Sequence, residues 1–229
     1  MERVLVIAAH PDDEVLGCGG TIAKLRSCGI VVRVVFLAEG ITARFLPDQF
    51  DGPEVQSKIK RRHENGLRAM AFLGLGNEDI FFGERYCCRL DTVPQIDLVK
   101  EIEGHVRDFA PTKIYTHAAH DTNVDHRCAH QAVLTAMRPL GNLGQISIYA
   151  FEILSSTEWN TVHPFAPTAF VDVTDSIGAK VDAMMAYEDE MLPSPHPRSA
   201  EVIEGLATYR GAQVGVRYAE GFQLIRSLC

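Results

Sequence analysis

The sequence predicts an α/β fold, a three-layer sandwich in which helices cover both faces of a mostly parallel central sheet. Two observations carry the prediction. Short runs rich in aliphatic and β-branched residues alternate with segments of helical spacing, the order that parallel strands joined by right-handed crossovers require. The runs are apolar throughout, as in strands buried on both faces. The length, 229 residues, fits one domain over residues 1–229.

The elements follow in order. Val4–Ala9 (VLVIAA) reads as the first strand, and Val15–Cys28 as a helix with Leu16, Ile22 and Leu25 on one side and Gly29 as its stop. Ile30–Ala38 is a second buried strand. Residues 39–56 are polar and broken by Pro47, Gly52 and Pro53, which predicts a long surface loop. Ser57–Leu73 is a helix with a basic start, and Asp79–Phe82 a short strand. Pro94–Phe109 is a helix with proline in its first turn, followed by the strand Lys113–His117 (KIYTH). Asp125–Met137 is a helix ended by Pro139, and Ser147–Ile153 and Ala169–Val173 are later strands. Ile177–Met191 reads as a helix, Pro193–Ser199 as a turn and Ala200–Arg210 as the final helix.

Composition narrows the function classes. Lys+Arg total 22 against 30 Asp+Glu, a net charge of −8. That disfavours nucleic acid or an anionic membrane as partner, since both reward a basic face. The apolar start Val4–Ala9 ends at His10, too short for a signal-peptide core or a membrane span. The six cysteines, at 18, 28, 87, 88, 128 and 229, show no C-x-x-C spacing. They read as reduced thiols of a cytoplasmic protein, mostly core filler, in preference to a disulfide scaffold or a Cys-based zinc site.

Chemistry concentrates in two places. The first is Ala9-His10-Pro11-Asp12-Asp13-Glu14, where the first strand gives way to a helix, at the carboxyl edge where parallel sheets place ligands. A divalent cation would explain three acidic groups beside an imidazole. His10 and Asp13 can then reach one ion while Asp12 acts on a water held by it. The competing explanation is an acidic helix start that complements the helix dipole. The second place is the stretch from His117 through His120, Asp121, Asn123, Asp125, His126 and Arg127 to His130, again a strand entering a helix. His126 near the helix start can point into the crevice, whereas His130 lies about 6 Å deeper along the axis. Two His and one Asp with water completing the shell form the usual hydrolytic zinc arrangement.

These segments resemble the LmbE/PIG-L family of zinc-dependent de-N-acetylases. The resemblance rests on AHPDDE (Ala9–Glu14), the run Gly17-Cys18-Gly19-Gly20 and NVDHR (Asn123–Arg127). It extends to Arg61–Glu64 with Leu73-Gly74, to HPRS (His196–Ser199), to Arg210-Gly211 and to YAEGF (Tyr218–Phe222), nearly the whole chain. It implies a Rossmann-like fold, one Zn2+ and removal of an acetyl group from an N-acetyl amino sugar. By residue, it implies His10, Asp13 and His126 as zinc ligands, Asp12 as general base and Arg61 as a substrate contact. Family members form oligomers, which leaves a homo-oligomer open here.

One departure matters. Many relatives carry a histidine where this chain has Asn123, and an amide cannot act as a protonated acid. Another histidine is then expected to help stabilise the oxyanion, first His196, beside Arg198 in the HPRS turn, and second His120; an ordinary proline-rich turn is the other reading of Pro193–Ser199. Asp125 is expected to orient a neighbouring ligand. Arg61 and Arg62 can also be a solvated helix face, and Trp159 and His163 either pack or meet a sugar. A dinucleotide site at Gly17–Gly20 is disfavoured, because the spacing is G-x-G-G and the preceding carboxylates repel a pyrophosphate. An amidase for a non-sugar substrate and a non-catalytic metal- or sugar-binding protein are the remaining alternatives.

Overall fold

A computed structural model describes residues 2–139 and 146–228; Cys229 lies outside them. Seven strands form one sheet among the described residues, in the order β3-β2-β1-β4-β5-β7-β6. They are β1 (Arg3–Ala8), β2 (Val31–Ala38), β3 (Ile80–Arg85), β4 (Lys113–His117), β5 (Ser147–Phe151), β6 (Ala169–Asp172) and β7 (Ala219–Arg226). The pairs of β1 with β2 and β4, of β2 with β3 and of β4 with β5 are parallel, and β7 runs antiparallel to β5 and β6. The helices are α1 (Asp13–Ser27), α2 (Pro53–Phe72), α3 (Gln95–Phe109), α4 (Val124–Ala136), α5 (Ile177–Met185) and α6 (Ala200–Ala212).

The period of two along β1 builds the three layers. Val4, Val6 and Ala8 join one core with Leu16 and Ile22 of α1, Ala69 and Met70 of α2 and Met184 of α5. Leu5 and Ile7 face the opposite core, with Leu98, Ile102 and Phe109 of α3 and Val133 of α4. Each large side chain buried this way contributes about 1.5–3 kcal/mol. No helix among the described residues is long and apolar enough to cross a membrane.

Helix α1 breaks at Cys18 (φ −150°, ψ 23°), and distant residues satisfy the break. Glu220 accepts the Gly20 and Thr21 N–H groups at 3.0 and 2.7 Å, and Lys180 Nζ donates to the Leu16 carbonyl at 2.8 Å. Gly17 lies against the Phe151 ring, where a Cβ would collide with the aromatic carbons. The GCGG and YAEGF segments are therefore two halves of one packing device. Arg210 does similar work at the end of β5, forking onto Glu152 at 2.8 and 2.7 Å.

Several boundaries differ from the sequence reading. Helix α2 begins at Pro53, not Ser57, because proline suits the first helical turn. The preceding loop is correspondingly shorter and holds two 3-10 turns, Thr42–Arg44 and Pro47–Gln49. Helix α5 stops at Met185 instead of Met191, because Tyr187 and Glu190 turn inward to polar partners on α1 and α2. Strand β7 was read only as a motif; its half-exposed Leu224 and Ile225 blur the alternation that marks a strand.

Candidate active site

The sheet order reverses between β1 and β4, and the crevice at such a switch point is where open α/β sheets bind ligands. Residues 10–13 leave β1 there and the loop leading to α4 leaves β4. Asp12 sits at φ 129°, a conformation that L-residues other than Asn and Asp rarely take and one found at functional sites. Buried Glu14 holds this turn: its carboxyl accepts the Asp12 N–H at 2.9 Å and the Tyr187 hydroxyl at 2.6 Å. Burial pushes the Glu14 carboxyl up to about 8.

Asp13 is the centre. Its Oδ2 accepts the His10 backbone N–H at 2.8 Å and lies 3.3 Å from His10 Nδ1, while Oδ1 lies 3.3 Å from His126 Nε2. Each imidazole is pinned from behind by a carboxylate. His10 Nε2 meets Asp125 Oδ2 at 2.8 Å, and His126 Nδ1 meets Asp121 Oδ2 at 3.1 Å. Asp125 is itself held by the N–H groups of Cys88 and Leu90 at 2.6 and 2.8 Å. Asp121 accepts from the Ser156 hydroxyl at 2.9 Å and from the Asn123 N–H at 2.8 Å. Protons placed on the outer nitrogens leave the lone pairs of His10 Nδ1 and His126 Nε2 aimed at Asp13.

This arrangement fits a metal ion. His126 Nε2 is buried with no hydrogen-bond partner, and His10, Asp13 and His126 bring three ligand atoms within 4.8 Å of one another. Two nitrogens and a carboxylate oxygen are a zinc-type donor set, and imidazoles backed by carboxylates are the common way to orient such ligands. The electrostatics agree. Burial works against charge on His126, yet Asp13 and Asp121 raise its pKa to about 9. Burial would likewise raise Asp13, but the charged His126 ring beside it holds it well below the ordinary carboxylate range. The pocket is built for positive charge, which protonated imidazole or a divalent cation can supply.

His117 is close but differently engaged. Its Nε2 accepts the Ala9 N–H at 2.8 Å, its ring stacks on His126 at 4.0 Å, and burial keeps it neutral, well below the ordinary imidazole value.

Asp12 faces a second buried charge network. Its Oδ2 accepts from Arg198 Nη1 at 2.7 Å and lies 3.5 Å from Arg62 Nη1. Arg62 and Arg198 both pair with buried Glu190, Arg198 at 2.5 Å, and Arg62 Nη1 also donates to the Pro11 carbonyl at 3.0 Å. Burial raises Asp12 to about 6, against the opposing pull of Arg198. Its Oδ1 takes no hydrogen bond among the described residues.

The structure thus brings His10, Asp12, Asp13, Asp125, His126 and Arg198 together. Arg61 does not join them. It lies on the outer side of α2, half-exposed, paired with Glu188 at 2.7 Å, and its neighbour Arg62 takes the inward position. Asn123 caps α4: its Oδ1 accepts the Asp125 N–H at 2.9 Å. Asn123→Ala is accordingly expected to cost about 1 kcal/mol of stability, read as a lower urea midpoint. His120 is exposed and stacks on His163 at 4.5 Å. His196 folds back on its own turn, where Nδ1 accepts the Arg198 N–H at 3.1 Å. The sequence reading gives Asp121 no role of its own, takes Arg62 as a solvated helix face and does not single out Glu190. Arg62 had a signal, since it shares a helical stripe with Gly66, Ala69, Met70 and Leu73.

Residues 5–137 match the family described as PIG-L, GlcNAc-PI de-N-acetylase. The chain belongs to this family. A diacetylchitobiose deacetylase from Thermococcus kodakarensis is 27% identical over 98% of this chain and 84% of its own. Among solved structures, N,N'-diacetylchitobiose deacetylase from Pyrococcus horikoshii matches with TM-score 0.75 at 21% identity, covering 98% of this chain and 84% of that one. GalB, the 4-carboxy-2-hydroxymuconate hydratase from Pseudomonas putida KT2440, matches with TM-score 0.74 at 22% identity, covering 100% and 98%. The PIG-L fold therefore carries more than one reaction, and function must be argued from the site.

Proposed function

We propose that this PIG-L family chain is a zinc-dependent N-deacetylase of an N-acetylated amino sugar of the GlcNAc type, free or conjugated, releasing acetate and the amine. The observation that carries the reading is the convergence of His10, Asp13 and orphaned His126 Nε2, with the buried Asp12 carboxylate next to Asp13 in the chain. His10, Asp13 and His126 would hold the zinc ion, which would supply Lewis acidity for a water and for the amide carbonyl. Asp12 Oδ1 accepts the proton of the attacking water, while Arg198 and Arg62 fix Oδ2 and with it the direction of the carboxylate. The same oxygen returns the proton to the sugar nitrogen as the amide C–N bond breaks. Asp125 and Asp121 keep His10 and His126 in register throughout, and Asn123 supports them as the α4 cap.

His196 is assigned as a donor to the developing oxyanion. Its Nδ1 accepts the Arg198 N–H, so the proton sits on Nε2, where it can be donated. His196→Ala is expected to lower kcat about 10²-fold with metal content unchanged; unchanged kcat and KM would remove the assignment. His120, exposed and stacked on His163, is kept as the second candidate for that donor. The amino-sugar substrate is supported by the chitobiose deacetylase relative. Five unpaired thiols among the described residues support a reducing, cytoplasmic setting.

The test is acetate release from N-acetylglucosamine and N,N'-diacetylchitobiose by chelator-treated protein, before and after zinc is restored. Turnover that vanishes with the chelator and returns with zinc supports the reading. A chain that holds one zinc ion and releases no acetate from either sugar would turn the site over to another substrate or to a hydration reaction.

A further inference from the structure

Behind His10, on the side away from Asp13, lie two thiols that the deacetylase reading does not use. Cys87 and Cys88 follow β3, and the left-handed backbone of Cys88 (φ 57°) turns neighbouring side chains the same way, bringing their sulfurs to 3.8 Å. His10 Nε2, Cys87 Sγ, Cys88 Sγ and an oxygen of Asp125 place one ligand atom each within 4.8 Å of one another. We propose that Cys87, Cys88, His10 and Asp125 form a second site, for a thiophilic divalent cation of the zinc class, that shares the His10 imidazole with the His10–Asp13–His126 site.

The geometry supports a four-coordinate ion. Sulfurs about 2.3 Å from one tetrahedral metal sit roughly 3.8 Å apart, the separation seen here. Two thiolates, an imidazole and a carboxylate suit zinc or cobalt and do not suit magnesium or calcium, which prefer oxygen. The framework is in place without the ion. Glu39 and Thr42 hold the Cys87 N–H at 2.8 Å each, and Asp125 holds the Cys88 N–H at 2.6 Å. Access runs through the exposed Cys88, which with Cys87 lines a surface depression of about 340 Å³ beside Thr42, Phe45 and Arg89. On binding, the ion takes the place of the proton between His10 Nε2 and Asp125 Oδ2. That proton and both thiol protons pass to solvent. The two sites are coupled through one ring, so filling the second changes the charge presented to the first.

Cobalt titration of the reduced, metal-free chain tests this independently of catalysis. Two Co2+ per chain are expected, with a near-ultraviolet sulfur-to-cobalt charge-transfer band. The double variant Cys87→Ser/Cys88→Ser is expected to bind one Co2+ without the band. His126→Ala should keep the band while weakening the other site, which separates failure of this inference from failure of the deacetylase reading. Cys88→Ser, at an exposed position, is expected to lose about half the band intensity and guards against a misfolded double variant. A wild-type chain that saturates with one Co2+ and no sulfur band, or a band that survives the double substitution, overturns the proposal.

Discussion

Asp12→Asn is expected to lower kcat for acetate release by about 10²–10⁴-fold, the span of general acid–base contributions, with zinc content unchanged. The substitution is close to isosteric, and asparagine is among the non-glycine residues that most often accept a positive φ such as the 129° at this turn. The buried Arg62 and Arg198 keep Glu190 as partner, so the surrounding network stays paired. What disappears is the basic lone pair on Oδ1. Since His10, Asp13 and His126 are untouched, elemental analysis should give the same zinc content as wild type while turnover collapses. The pH profile offers a second reading. Burial holds Asp12 at about 6, and a cation bound next door lowers that value, so the acid limb of kcat/KM should fall at or below about pH 6 in the wild type. Turnover within a few-fold of wild type in the variant would leave the site without this base.

The catalytic centre was more legible than the substrate side, for a physical reason. AHPDDE and NVDHR each follow a run dense in β-branched residues, and the carboxyl ends of adjacent parallel strands share one edge. Sequence order alone therefore brings His10, Asp13 and His126 into one crevice. The partners behind them come from places that no spacing marks. Asp121 reaches His126 only because Ser156 and Thr157, after β5, fold over it. Glu190 meets Arg62 and Arg198 only because the chain leaves helix at Met185, although Ala186–Met191 keeps a helical composition. Strand β7 escaped for a related reason: although α6 precedes it, it has no continuous apolar run, and antiparallel pairing with β5 and β6 defines it.

The neighbouring arginines of α2 turn the helical phase into a measurement. Arg62→Met is expected to destabilise the chain by about 1–3 kcal/mol, because Glu190 and Asp12 keep Arg198 while the buried Pro11 carbonyl loses its donor. Methionine keeps an unbranched apolar stem but loses the guanidinium that lies 5.8 Å over the Tyr187 ring. It removes the guanidinium from Glu190, whose side chain is 6% exposed, and the donor from the Pro11 carbonyl. Pro11 precedes the strained Asp12, so kcat should fall along with stability as the turn loses its tether. Arg61→Met removes a charge of comparable formal strength one residue away. That guanidinium is 53% exposed and pairs with a half-exposed Glu188, where water and salt screen the interaction. Its urea midpoint and its turnover are expected to match wild type. A large loss from Arg61→Met, or none from Arg62→Met, would mean that α2 presents its other side to the site. The substrate contact that the family resemblance places at Arg61 would then be back in question.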